Sequence, residues 1–450
     1  MSAVPTVKWI FPLSKGHIVF QFELGAQFKP VVSAAFTSAF LLLFSFVKWP
    51  YVTSTNNAEL RTSYRQLRQS RVNKRFKWSN GGELMNRRNF LRSTSAVCAG
   101  LAFPGVASVL ADAVSPGDWR TFEVTTRVEV LKPKGVSHIW LPAALNRDTP
   151  FQRTIFNKFV AEGGSANLRK DKQTALGIVS ASFPADQKPV LILTSRVSLK
   201  NYAVDLSSKA QPPKVSQPEL DYFLQPSRYV PTDGIVKETA VKACVGASTD
   251  TEKARAIYEW IVENTFRDPK VRGCGRGDIR FMLESGDMGG KCADINALYV
   301  GLARSVGLPA RHVYGLRIAK SELGYKSLGL PTDKVTKGQH CRVEVYLREH
   351  GWVPVDPADV RKVVLEEPPG NLTLSDDMVA RARQRLFGSW EMNWMAYNYA
   401  HDVVLPGSAG QPVVYFMYPQ AETAEGRVDP FDPDNFKYEI TAKEIEAKSE

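Results

Sequence analysis

The stretch that most constrains this chain is residues 289–306, GGKCADINALYVGLARSV. Ile295, Leu298, Tyr299, Leu302, Ala303 and Val306 recur at spacings of three and four, which predicts a helix buried on one side. Gly307 and Pro309 then stop it. Cys292 therefore stands in the first turn. Unpaired N–H groups and the helix dipole at that end favour an anion, and so favour thiolate over thiol. A thiolate is a nucleophile, and an oxyanion formed beside it would meet the same N–H donors. Position alone fits an inert helix-terminal cysteine equally well, because free cysteine packs as a small hydrophobe.

A nucleophilic thiolate needs a base, and the base needs something to orient it. Residues 340–348, HCRVEVYLR, alternate as a strand, with Cys341, Val343, Val345 and Leu347 on one face. His340, Arg342, Glu344 and Tyr346 share the other. Cys341 then belongs to the core, and His340 points from the opposite face toward a cleft. Residues 351–357, GWVPVDP, form a second strand joined through Glu349-His350-Gly351. The pair reads as a hairpin that brings Asp356 close to His340. A carboxylate there fixes the imidazole tautomer whose other nitrogen faces the thiol. Taken singly, His340 fits a solvent-facing strand histidine and Asp356 a turn-forming Asp-Pro; together with Cys292 they make an ordered Cys–His–Asp set.

Three blocks in this order, GGKCADINALYVGLARSVGLPARHVYG, HCRVEVYL and GWVPVDPADV, resemble the transglutaminase-like superfamily over roughly residues 230–360. The resemblance implies an α+β fold, with a papain-like core in which a cysteine-bearing helix packs on an antiparallel sheet. It implies Cys292 as nucleophile, His340 as base and later acid, and Asp356 as the orienter of the histidine. The implied chemistry is attack on an amide carbonyl of a protein or peptide through a Cys thioester. The resemblance to exported bacterial members implies release to water, a peptidase or amidase. Acyl transfer to an amine with the same residues, and a catalytically silent envelope scaffold, are the other readings. The family often has tryptophan two residues after the histidine, and Arg342 stands there instead, at a position that helps shape the acyl-donor cleft.

No cofactor and no metal ligand set is read from the sequence. The remaining cysteines match no zinc spacing, and Gly273-Cys274-Gly275-Arg276-Gly277 lacks the ending of a phosphate loop. Beyond the leader the cysteines are Cys244, Cys274, Cys292 and Cys341, and with Cys292 free, a Cys244–Cys274 bridge is one pairing that parity allows.

The rest of the chain supplies context. A formal charge of +12 invites a nucleic-acid partner, but residues 1–113 hold 14 Lys and Arg against 4 Asp and Glu. The remainder has 44 against 42, without a basic stripe, so nucleic acid is not expected. Residues 85–113 combine Arg87-Arg88 with a short apolar run and Ala111-Asp112-Ala113, which resembles a twin-arginine export signal and predicts a periplasmic protein beginning near Val114. Residues 1–84 are then either a non-native extension, with translation starting at Met85, or a membrane anchor through the apolar stretch 31–47. Residues 114–208 alternate as strands around Phe122, Val124, Val128 and Val130 and predict a β-sandwich-like domain. Residues 209–232 read as a linker, and 233–450 as the catalytic domain with a C-terminal extension. In that extension the aromatics of 386–399 recur at helical spacing, His401-Asp402 reads as structural, Asp429, Asp432 and Asp434 suit turns, and 440–450 reads as a solvated charged end. The oligomeric state is not legible.

Overall fold

The computed structural model describes residues 6–13, 16–23, 117–208 and 214–445. The chain divides into two compact units, residues 1–102 and 103–450. In the first, β1 (Thr6–Leu13) and β2 (Gly16–Glu23) pair as an antiparallel hairpin. The export signal expected at 85–113 and the apolar stretch 31–47 lie outside the described residues.

The second unit begins with strands. β3 (Arg120–Val130), β4 (Ser137–Pro142), β5 (Gln152–Glu162), β6 (Ser165–Asp171), β7 (Leu176–Phe183) and β8 (Val190–Leu199) are antiparallel in every pairing they make with one another. Their inward residues, Val128, Ile139, Leu141, Val179, Leu191 and Leu193 among them, form a core between two sheets. After β9 (Tyr202–Ala203), the expected linker is partly a helix. Ser216 caps α1 (Gln217–Tyr222), and Phe223 at its end is fully buried. Apolar residues were too sparse in that segment to signal a contact made by one aromatic ring.

The helical layer follows, with α2 (Gly234–Ala243), α3 (Asp250–Asn264), β10 (Phe266–Arg267), α4 (Ile279–Ser285), β11 (Gly289–Gly290) and α5 (Cys292–Ser305). Thr249 and Glu252 form the reciprocal capping box at the start of α3, each satisfying an N–H that the helix leaves open. All residues of α5 are buried, not one stripe alone, because α2, α3 and α4 pack around it while the sheet covers the remaining side.

That sheet has the order β14-β13-β12-β16, built from β12 (Ala310–Arg317), β13 (Gln339–Leu347), β14 (Gly351–Val355) and β16 (Trp394–Asn398). The predicted hairpin is β13–β14, and Asp356 leads directly from it into α6 (Pro357–Glu366). Between α6 and β16 lie α7 (Asp377–Arg385) and β15 (Ser389–Trp390). The aromatic stretch is therefore strand and turn, not helix: Trp390, Trp394 and Tyr399 are buried against the second face of the sheet. Both faces of β13 are covered, so Arg342 and Glu344 lie in the interior rather than on an open face.

The chain ends by returning to the sandwich. After the short pair β17 (His401–Val403) and β18 (Val413–Tyr415) come β19 (Gln420–Thr423), β20 (Gly426–Val428) and β21 (Phe436–Ile445). β19 and β20 extend the sheet β20-β19-β4-β7-β6, and β21 closes the edge of β21-β3-β8-β5. The sandwich expected from 114–208 thus draws three of its strands from the far end of the chain. Residues 440–445 are strand: Phe436, Ile440 and Ala442 face inward while Lys437, Glu439 and Lys443 face out. The charges obscured a period-2 pattern. The aspartates at 429–434 do form turns, with Asp432 accepting from the Asp434 N–H at 3.0 Å.

Candidate active site

Cys292 is the first residue of α5, and Lys291 before it is extended. Asp294, one turn in, accepts from the Lys291 N–H at 3.0 Å and from the N–H groups of Arg276 and Gly277 at 2.8 Å each. One carboxylate thus fixes the helix start and clamps the glycine-rich loop on it. Gly275 sits at φ +97, and a Cβ there would fall 1.8 Å from Asp294 Oδ2, so only glycine fits. The loop turns Cys274 inward, and its carbonyl accepts from the Ala293 N–H at 2.9 Å. The Cys292 N–H has no acceptor among the described residues.

His340 enters from β13, opposite Gly315 of β12. Its carbonyl accepts from Trp394 Nε1 at 2.9 Å. Its Nε2 is 2.8 Å from Asp356 Oδ2 and 3.4 Å from Asp359 Oδ1, which leaves Nδ1 for the thiol. Asp356 is the N-cap of α6: its other oxygen accepts from the Asp359 N–H at 3.1 Å and from Asn296 Nδ2 at 3.2 Å. Asn296, on the helix that Cys292 opens, also donates to the Cys341 carbonyl at 2.8 Å and accepts from the Ala358 N–H at 3.3 Å. One buried amide therefore ties the cysteine helix, the histidine strand and the aspartate cap together.

Behind the histidine, Arg317 grips Asp359 at 2.5 and 2.7 Å, and Arg342 Nε lies 3.6 Å from Asp356 Oδ2. Arg342 is stacked over Trp394 and Trp390, with ring centroids 4.8 and 5.5 Å away, and burial pushes its pKa down to about 10. It stands behind the pair and does not line the cleft. Donor atoms of His340, Asp356 and Asp359 lie within 4.8 Å of one another, a spacing that a cation could bridge. The guanidinium groups of Arg317 and Arg342 already supply the positive charge these carboxylates need, so the set does not call for a metal.

The thiol lies against the His340 imidazole and against two further thiols, Cys274 and Cys341. Contacts with Cys274 and Cys341, and then with His340, hold Cys292 well below the usual thiol range, against burial. The Cys292 contact and burial push Cys274 up, and burial and the same contact push Cys341 up, so the neighbours stay protonated. Burial opposes charge on His340, but Asp359 and Asp356 outweigh it and raise its pKa. Burial and the Asp359 charge raise Asp356; against burial, Arg317 holds Asp359 far below the usual carboxylate range. A depressed thiol beside an elevated imidazole favours the thiolate–imidazolium pair.

Tyr418 donates to Cys274 Sγ at 3.0 Å, and Cys274 Sγ donates to the Gln339 carbonyl at 3.3 Å. The Cys244–Cys274 bridge is not formed: all four described cysteines are free, and Cys244 sits at the end of α2 with its sulfur 3.8 Å from the Lys253 carbonyl. Cys292, Cys274 and His340 open on a cleft of about 700 Å³. His401 and Asp402 bond to each other at 3.0 Å and do not line it.

Sequence reasoning brought forward Cys292, His340 and Asp356, and these meet. It missed Asn296, Asp359, Arg317 and Cys274. Asn296 carried a signal, a polar residue inside the most apolar helix pattern of the chain. Asp359 and Arg317 carried none, since their pairing spans 42 residues.

A cysteine opening a buried helix, against an antiparallel sheet whose strand and hairpin carry histidine and aspartate, defines the papain-like class of thiol enzyme. A model of the transglutaminase-like superfamily matches residues 237–357. An uncharacterized protein of Haemophilus influenzae is 34% identical over 356 residues, covering 73% of this chain and 92% of the relative. Residues 237–357 belong to the transglutaminase-like superfamily. Among solved structures, a candidate cysteine protease from Cytophaga hutchinsonii is 16% identical with a TM-score of 0.42, over 73% of this chain and 99% of that one. The periplasmic domain of TgpA from Pseudomonas aeruginosa is 16% identical with a TM-score of 0.28, over 54% and 88%.

Proposed function

We propose that this protein is a hydrolase of amide bonds in proteins or peptides, working through a thioester on Cys292. The observation that carries the reading is that a buried helix-first thiol, Cys292, lines the same open cleft as His340, whose Nε2 is 2.8 Å from Asp356. The Cys292 thiolate attacks the carbonyl carbon, and the oxyanion takes the unpaired Cys292 N–H. His340, as imidazolium, gives its proton to the leaving amine. It then takes a proton from water, which attacks the thioester and frees the acid. Asp356 holds the imidazole with Nδ1 toward sulfur throughout. The export-signal pattern at 85–113 supports a periplasmic location. Amino-terminal sequencing of the native protein should find a start near Val114, and a retained peptide from residues 50–80 would overturn that part.

The test of the chemistry is alkylation of the full chain by iodoacetamide across the pH range, mapped to residues by mass spectrometry. Cys292 should react fastest, and well below the free-thiol pKa of about 8.5. It should slow when His340 is replaced by alanine. A Cys292 that is inert, or indifferent to His340, would leave the scaffold reading in its place. Amide substrates with and without added amines then separate hydrolysis from transfer.

A further inference from the structure

We infer that the cleft takes a peptide bearing carboxylates near the scissile bond, an inference that rests on the thiol-enzyme reading and deepens it. The body of the chain is nearly neutral, yet the charged lysines and arginines lining the cleft are Arg267, Lys291, Arg317, Lys337, Lys362 and Lys437, without one aspartate or glutamate among the lining residues. Such an imbalance within one concavity is a local field, not a property of overall composition.

The partners of these cations set how much of the field is free. Arg317 is spent on Asp359. Arg267 and Lys362 share Glu366, the latter at 3.6 Å. The Lys291 ammonium donates to the Val271 carbonyl at 2.6 Å, a contact that leaves its charge unneutralised. Lys337 and Lys437 are exposed and have no carboxylate partner among the described residues.

Their placement is built, not incidental. Residues 333–336 are pinned along β21: the Val335 N–H donates to the Ile440 carbonyl at 2.8 Å, and the Ala442 N–H to the Asp333 carbonyl at 2.8 Å. The Ile440 N–H donates in turn to Thr336 Oγ1 at 3.0 Å. This holds the segment carrying Lys337 beside the strand carrying Lys437. Phe431 packs edge-on to Tyr418 with ring centroids 4.9 Å apart, and with Phe436 and Tyr438 it gives the same cleft an apolar wall. Free cations beside an aromatic wall suit a short peptide with carboxylates and some apolar surface. The same field repels a lysine ammonium as acyl acceptor, which agrees with water in that role.

Two measurements on the full chain test this, each with its own control. The first compares alkylation of Cys292 by iodoacetate and by iodoacetamide, reagents of the same shape that differ in charge. At low salt the iodoacetate-to-iodoacetamide rate ratio should exceed that of the Lys337→Glu/Lys437→Glu variant by about tenfold, and the two proteins should converge at high salt as screening shortens the field. The second uses Cys292→Ala and fluorescent peptides of one length carrying Glu, Gln or Lys. The Glu peptide should bind about tenfold tighter than the Gln peptide at low salt, and the double charge reversal should remove that preference. An unchanged alkylation ratio in the variant, or a Lys or Gln peptide binding as tightly as the Glu peptide, overturns the inference. Slow reaction of Cys292 with both reagents, with the Glu preference intact, would overturn the thiol-enzyme reading instead and leave the ligand class standing.

Discussion

The β12–β13 ladder buries charge at both ends, and the two ends do different things. At one end Arg311 faces Glu344, its register partner, with Nε 2.8 Å from the carboxylate. The same guanidinium reaches Glu219 at 3.2 Å and lies 3.9 Å from the ring centroids of both Trp352 and Tyr399. Every charged group there has an opposite charge beside it, rings cover the guanidinium, and none of these residues lines the cleft. At the other end Arg317, Asp359, His340 and Asp356 form a series rather than a closed pair, and the series ends at a thiol in the cleft. The arginine–carboxylate contact is similar at both ends. What differs is whether a group that can gain or lose a proton is left at the end of the chain of charges. Closed, the arrangement stabilises; open-ended, it sets the charge around the thiol proposed as nucleophile.

The sharpest way to break this comparison is to remove the open-ended group. His340→Ala or Asp356→Asn should slow alkylation of Cys292 in mildly acidic solution by about 10²–10⁴-fold, while Arg311→Met/Glu344→Met leaves the rate unchanged. The pH profile follows from the directions of the shifts. A lowered Cys292 keeps its thiolate to a lower pH than a free thiol, and a raised His340 keeps its proton to a higher pH than a free imidazole. Turnover that needs both should fall on the acid side as the thiolate is protonated, and on the alkaline side as the imidazolium is lost. Asp359→Asn removes a charge that raises His340, so the alkaline limb should move to lower pH. Rates measured at each pH in both proteins check this.

Next in size is the closed end. Arg311→Met alone strands Glu344 in the interior and should cost about 3–5 kcal/mol by denaturant unfolding, most of it recovered in the Arg311→Met/Glu344→Met double variant. Gly275→Ala should cost about 1–3 kcal/mol through its left-handed backbone, and should slow Cys292 as well, because the loop it distorts holds both Asp294 and Cys274. Smallest is Tyr418→Phe, which removes the hydroxyl on Cys274 and should change stability by about 1 kcal/mol, with a small shift in the pH at which Cys292 reacts. A large effect there would move the neighbouring thiols to the centre of the chemistry.

Local order determined what was legible from residue pattern alone. The start of α5, the capping box of α3, the β13–β14 hairpin and the reach from His340 to Asp356 all rest on residues within one or two turns, or across one tight turn, of each other. Side-chain period and capping chemistry act over that range, so they can be read along the chain. The aromatic stretch 386–399 had the spacing of a helix and became strands, because an edge of β12 was free to pair with it. The charged end became β21 because an edge of β3 was. Arg317 finds Asp359, and Cys274 finds Cys292, only when the sheet and the loop are folded. Sequence alone brought forward Cys292, His340 and Asp356, the residues proposed for the chemistry. Tertiary structure decided which charges stand behind the histidine and which face the cleft, because those pairings are set by packing between segments far apart in the chain, and no local pattern encodes them.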